Sequence, residues 1–245
     1  MTKRRVLGTR SGRRSFAMAV FAFAAFAACL SPQGMHVARA EVAAADPIDT
    51  AMRTCLARGD MSSTAGQVQC MDTARTAWQA ALDMAYQQLL AKAQAPRHAR
   101  WEASQKRWTQ WRDAEAKMQQ AVFVTTHGSM YVLYAADMQL QPVRDRALAL
   151  RRAAALEGTG DVPPRLNACS ADARCEHAMF DLNRYYRRLD AKMPPRARPT
   201  LVRAQRAWVA YRDATTPVID EHARIDIIGG RIATIKRLSE TVGND

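Results

Sequence analysis

The stretch Gln105-Lys106-Arg107-Trp108-Thr109-Gln110-Trp111-Arg112-Asp113-Ala114 recurs as Gln205-Arg206-Ala207-Trp208-Val209-Ala210-Tyr211-Arg212-Asp213-Ala214, at an offset of 100 residues. The shared pattern, Gln-x2-Trp-x2-aromatic-Arg-Asp-Ala, includes rare residue types and is too specific to repeat by chance, so the chain carries an internal duplication. The same offset sets Leu82 on Leu182, Tyr86 on Tyr186, Leu89 on Leu189 and Lys92 on Lys192. Between the copies, Leu156-Glu157-Gly158-Thr159-Gly160-Asp161-Val162-Pro163-Pro164 loses helix propensity and reads as a linker. The expected organisation is a first repeat over 41–155, a linker over 156–164 and a second repeat over 165–245, with residues 1–40 apart from both.

Both copies read as helical. Only 11 Gly and 10 Pro occur in 245 residues, no Asn-Gly or Asp-Gly dipeptide occurs, and Ala, Leu, Arg, Gln and Met dominate. A composition 48% hydrophobic and 24% charged is globular. Residues 67–94 carry Val68, Met71, Trp78, Leu82, Ala85, Tyr86, Leu89 and Leu90 at helical spacing, and Pro96 marks a break. A second helix is expected from Arg97 to Val124, and His127-Gly128-Ser129 precedes a third from Met130 to Ala155. Copy two repeats the plan with Cys175 to Lys192, a break at Pro194-Pro195 and a helix with Pro199 in its first turn. A kink is expected at Pro217, and Gly229-Gly230 before a last short helix. The last helix should lack about seven residues relative to its counterpart. The fold class is therefore all-α, two tandem repeats built as helical hairpins or three-helix units.

Residues 1–40 read as a signal peptide. Arg-rich residues 3–14 lead into apolar Phe16 to Leu30, too short to span a bilayer comfortably, and then to Ala38-Arg39-Ala40. Cleavage after Ala40 leaves a chain beginning at Glu41 and places it in the periplasm or outside the cell. Arg13-Arg14-Ser15-Phe16 suits twin-arginine export and the Sec route fits equally, while Phe26-Ala27-Ala28-Cys29 offers a lipoprotein reading with Cys29 lipidated. Seven of the 36 basic residues and none of the 23 acidic ones lie in 1–40, leaving 29 against 23 in the remainder. That excess suits phosphate, lipopolysaccharide or an anionic wall polymer. No basic run interleaved with aromatics supports nucleic-acid binding.

Export gives the four remaining cysteines a meaning, since disulfides persist outside the cytosol. Cys55, Cys70, Cys169 and Cys175 permit three pairings, among which the sequence does not choose. Pairing within each half is favoured, because Cys55 and Cys70 share one copy and Cys169 and Cys175 the other. In one continuous helix Cys169 and Cys175 would lie about 9 Å apart, beyond disulfide reach, so the chain should bend near Ser170 to Asp172. Neither spacing suits zinc.

On the repeated helix Trp101, Gln105, Trp108 and Arg112 fall within about 60° of one another, as do Leu201, Gln205, Trp208 and Arg212. A Gln and an Arg in an apolar stripe need partners, because each buried unpaired costs about 1–3 kcal/mol. The expected partners are Asp83 and Tyr86 in copy one and Asn183 and Tyr186 in copy two, across a helical hairpin. A clamp of this kind is the stronger reading, and a ligand platform that includes Asp113 and Asp213 is the other.

Nothing in the chain points to catalysis. His98, His127, His177 and His222 are scattered, no Gly-x-Ser-x-Gly elbow or phosphate loop occurs, and adjacent Glu176-His177 and Glu221-His222 diverge by about 100° on a helix. No catalytic residue, metal or cofactor is expected.

The order Cys, Cys, Leu-Asn-x2-Tyr and Gln-x2-Trp-x2-aromatic-Arg-Asp resembles the LprI-like lysozyme-inhibitor family. Leu182-Asn183-Arg184-Tyr185-Tyr186 carries the central element, and copy one has Asp83 where the family has Asn. Family members often carry a further Cys where Ala116 and Thr216 stand here, and Cys169 fits the family spacing to Tyr186 better than Cys175. The resemblance implies an exported, non-catalytic binding protein, with a muramidase of the lysozyme type or an anionic wall component as partner. A structural or stress-related envelope scaffold is the alternative.

Overall fold

A computed structural model describes residues 45–157, 159 and 166–244. The expected signal peptide and Cys29 lie outside the described residues, as does most of the linker. The described residues form seven α-helices: α1 Pro47–Leu56, α2 Thr64–Lys92, α3 Ala95–Phe123, α4 Ser129–Leu156, α5 Ala173–Lys192, α6 Arg198–Thr215 and α7 Glu221–Thr241. The all-α expectation holds.

Local chemistry sets the ends. Asp46 caps α1 by accepting from the Ile48 amide at 2.9 Å, with Pro47 in the first turn. Ser63 caps α2 through the Gly66 amide at 3.1 Å. A Cβ on Gly66 would meet the Met61 backbone at 2.8 Å, so glycine lets the preceding turn lie against α2. Gly128, at φ 103°, supplies the break before α4. Asp172 caps α5 by accepting from the Arg174 and Cys175 amides.

Three boundaries differ from expectation. Helix α1 was not foreseen; at 10 residues it is short, and its disulfide to α2 and packing against it hold it. At Pro217 the chain does not kink but stops: α6 ends at Thr215, a 3-10 turn spans Thr216–Val218, and Asp220 caps a new helix. Gly229-Gly230 does not interrupt α7. Each glycine costs about 1 kcal/mol in a helix, yet both are exposed while Ile228, Arg231, Ile235 and Leu238 bury the opposite stripe.

The two copies interleave. Helix α2 runs along α4 and α5 along α7, while the motif helices α3 and α6 pack on one another across the copies. Burial follows the duplication: Leu82 and Leu182, Leu89 and Leu189, Trp101 and Leu201, Ser104 and Ala204, and Trp108 and Trp208 are all buried. Lys92 donates to the Ala154 carbonyl at 2.7 Å and Lys192 to the Ser239 carbonyl at 2.8 Å, so the equivalent lysines tie α2 and α5 to the ends of α4 and α7. Helix α7 has 21 residues against 28 in α4, as the sequence suggested.

Candidate functional site

The disulfides pair within the copies. Cys55 bonds Cys70 with Cα atoms 5.7 Å apart, and Cys169 bonds Cys175 at 5.1 Å. A 3-10 turn at Cys169–Ala171 gives the second pair its bend. Cys169 therefore pairs with Cys175 despite its better fit to the family spacing.

The motif residues are satisfied largely within the fold, through partners other than those expected. Gln105 Oε1 accepts from Arg146 Nε at 3.0 Å, and Gln205 Oε1 accepts from Arg231 Nε at 3.1 Å. Arg112 folds back over its own Trp108, 5.0 Å from the ring centroid, and Arg212 over Trp208 at 5.2 Å. This explains the Trp-to-Arg spacing, since residues four apart on a helix are neighbours. Arg112 Nη1 donates to Gln79 Oε1 at 3.1 Å, and Gln79 Nε2 donates to Asp83 at 2.9 Å. Asp83 thus meets Arg112 only through Gln79. In copy two Arg212 reaches the Met179 sulfur at 3.6 Å and Asp213 at 2.7 Å, and Asn183 is exposed. Asp113 is an exposed neighbour of Arg112. Tyr86 and Tyr186 are half-buried, and burial pushes both phenols up. The direct clamp to residues 83, 86, 183 and 186 does not form, because α3 and α6 pack on one another and the glutamines are bonded by buried arginines of α4 and α7.

Those arginines join the copies. Arg231 is fully buried, and its Nη1 donates to Glu115 Oε2 of α3 at 2.6 Å. Arg146 is buried with Nη2 on Ser104 Oγ at 3.0 Å and its guanidinium 5.4 Å from the Tyr211 ring. Burial pulls the Arg146 pKa below the ordinary guanidinium range, with Tyr211 acting in opposition. Ser104 and Thr215 share a 2.7 Å hydrogen bond, and Trp111 stacks on Tyr211 with centroids 5.4 Å apart. The two stacked rings occupy equivalent motif positions at the crossing of α3 and α6. A second network ties α1 to the first copy: Asp49 accepts from the Trp78 indole at 3.2 Å and from Arg144 at 2.6 Å. The Arg144 hydrogen bonds hold the Asp49 carboxyl below its ordinary range.

Sequence reasoning missed Arg146, Arg231, Glu115 and Asp49. A signal existed for the arginines: Val143, Arg146 and Leu150 share one buried stripe, and Ile228, Arg231 and Ile235 share another at the same spacing. The Gln-to-Arg separation is 41 residues in copy one and 26 in copy two, so the offset of 100 does not align them.

A groove of about 620 Å3 opens between α2, α3 and α4, with Gln79, Arg112 and Asp113 at its rim and Glu115 and Gln119 deeper. Pro142 lies inside α4 and has no amide hydrogen to give the Met138 carbonyl, and Gln119 Nε2 approaches that carbonyl at 3.5 Å. Among the described residues no group of three or more His, Cys, Asp or Glu is placed to hold a metal ion. No helix among them is long and apolar enough to cross a membrane.

Fold and site define a class: an all-helical tandem repeat, with a disulfide near the start of each copy and the two motif helices paired across the copies. The chain belongs to the LprI family, whose model, described as lysozyme inhibitor LprI, matches residues 55–150 and 159–240, consistent with tandem copies. It is similar to the crystal structure of an uncharacterised protein from Burkholderia thailandensis, at 56% identity and a TM-score of 0.79, over 82% of this chain and 100% of that one. No curated protein matches it.

Proposed function

We propose that the protein is exported, begins at Glu41 after cleavage, and acts without catalysis by binding and inhibiting a lysozyme-type muramidase. The carrying observation is family membership through both copies, in a family described by lysozyme inhibition. Two disulfides suit an extracytoplasmic compartment. The motif side chains are engaged within the fold, which favours recognition by a preformed surface over one that folds on contact. The test is binding of the purified protein to an immobilised cationic lysozyme, with intact mass checking the Glu41 start. Saturable binding that strengthens as salt screens two basic partners is the expected result. No binding at any ionic strength contradicts the reading. The excess of 29 basic over 23 acidic residues beyond residue 40 favours anionic wall polymer as a second partner, tested by co-sedimentation with peptidoglycan and lipopolysaccharide.

A further inference from the structure

The duplication supplies an internal control for the groove between α2, α3 and α4. Where copy one places Gln79, Asp83 and Glu115, copy two places Met179, Asn183 and Thr215 on the equivalent helices. The fold does not require Gln79 at this position, because Arg212 settles against the Met179 sulfur at 3.6 Å just as Arg112 settles on Gln79. Yet in copy one all three line the same groove, beside Gln119. Glu115 and Gln119 are 2% and 4% exposed. Glu115 spends Oε2 on Arg231 and Trp111, while its buried Oε1 has no hydrogen-bond partner. Nη2 of its partner Arg231 is likewise buried and unpaired, so that oxygen belongs to the joint beneath the groove, and ligand contacts fall to the more exposed polar side chains of the lining.

The chemistry of the groove limits what it accepts. Arg75 and Arg112 are offset by Asp83 and Asp113, while Glu115 is neutralised by Arg231, which disfavours a strongly charged ligand. Half-exposed Gln79 and exposed Gln139 present planar amides that both donate and accept. Trp111 and Pro142 add apolar wall, and the volume of about 620 Å3 is that of a small-molecule site. Hydroxyl-rich rings combine these needs, with adjacent groups that donate and accept and C–H faces that pack on an indole. We propose that this groove is a binding site for a neutral, hydroxyl-rich ligand of the saccharide class, present in copy one and absent from copy two.

The test is an NMR titration of the purified protein with an N-acetylglucosamine trimer and with maltotriose, followed at the Trp111 indole and the glutamine side-chain amides. No muramidase is present, so the outcome is separate from that of the proposed inhibition. The expected result is saturable shifts with at least one trisaccharide. Gln79→Met, which installs the residue of copy two, should weaken binding at least about tenfold, equivalent to 1.4 kcal/mol, with no change in Tm. Absence of saturable shifts with both sugars up to about 10 mM overturns the proposal, as does undiminished binding by a folded Gln79→Met variant.

Discussion

Replacing Arg231 by methionine tests the joint between the copies. Its guanidinium and the Glu115 carboxylate are 0% and 3% exposed, with a 2.6 Å contact between α7 and α3. Arg231→Met leaves Glu115 charged, buried and without its cation, and removes the donor to Gln205 Oε1. Breaking a buried pair from one side costs about 3–5 kcal/mol. In a domain of this size each kcal/mol lowers Tm by about 2–4 °C, so a fall of about 6–20 °C is expected. Exchange of both members for apolar residues of similar volume is neutral or stabilising by about 1–4 kcal/mol, so Arg231→Met with Glu115→Met should recover most of the loss. Urea denaturation of the wild type, both single variants and the double variant, followed by circular dichroism and tryptophan fluorescence, closes the cycle. A cost below about 1 kcal/mol for Arg231→Met, or strict additivity, would refute the reasoning by giving the pair the worth of a surface contact.

Reduction of the Cys55–Cys70 bond, which closes a 15-residue separation, should lower stability by about 3 kcal/mol, read as the Tm difference with and without reductant. Unchanged Tm on full reduction counts against it. Hydrogen bonds from Arg144 and Arg97 hold Asp49 and Glu157 below their ordinary values of 3.8 and 4.5, so their contribution is complete above those values and lost as pH falls through the depressed ones. Melting temperature should be flat down to about pH 5 and then fall, and Arg144→Met should flatten the fall; an identical acid limb in the variant speaks against Asp49 as a source. Arg112→Ala removes a half-exposed cation–π contact and one bond to a neutral amide, so the urea midpoint should report only about 0.5–1 kcal/mol. A loss of several kcal/mol would restore the direct clamp to Asp83.

Helix positions and the disulfides were legible because they are written locally. Apolar spacing marks α2 to α5, and the placement of two cysteines in each half favoured, among three possible pairings, the one observed. Helix α1 was not legible, because 10 residues hold little periodic signal and its stability comes from Cys70 and its packing on α2. The partners of Gln105 and Gln205 were hidden for a different reason. Periodicity tells which face of a helix is buried but not which helix covers it, and α3 chose α6 of the other copy. Arg146 and Arg231 stand 85 residues apart while the glutamines stand 100 apart, so comparison at one fixed offset passes over them. Gly229-Gly230 misled because local propensity, about 1 kcal/mol per glycine, is outweighed by the buried stripe on the other side of α7.

Inhibition is the claim on which the functional account stands, and turbidimetric lysis of a peptidoglycan suspension measures it directly. With the lysozyme fixed and the purified chain from Glu41 onward titrated in, lysis should slow in proportion and stop near molar equivalence if binding is tight. Lysis that proceeds at full rate with the folded, disulfide-intact protein in large excess contradicts the account.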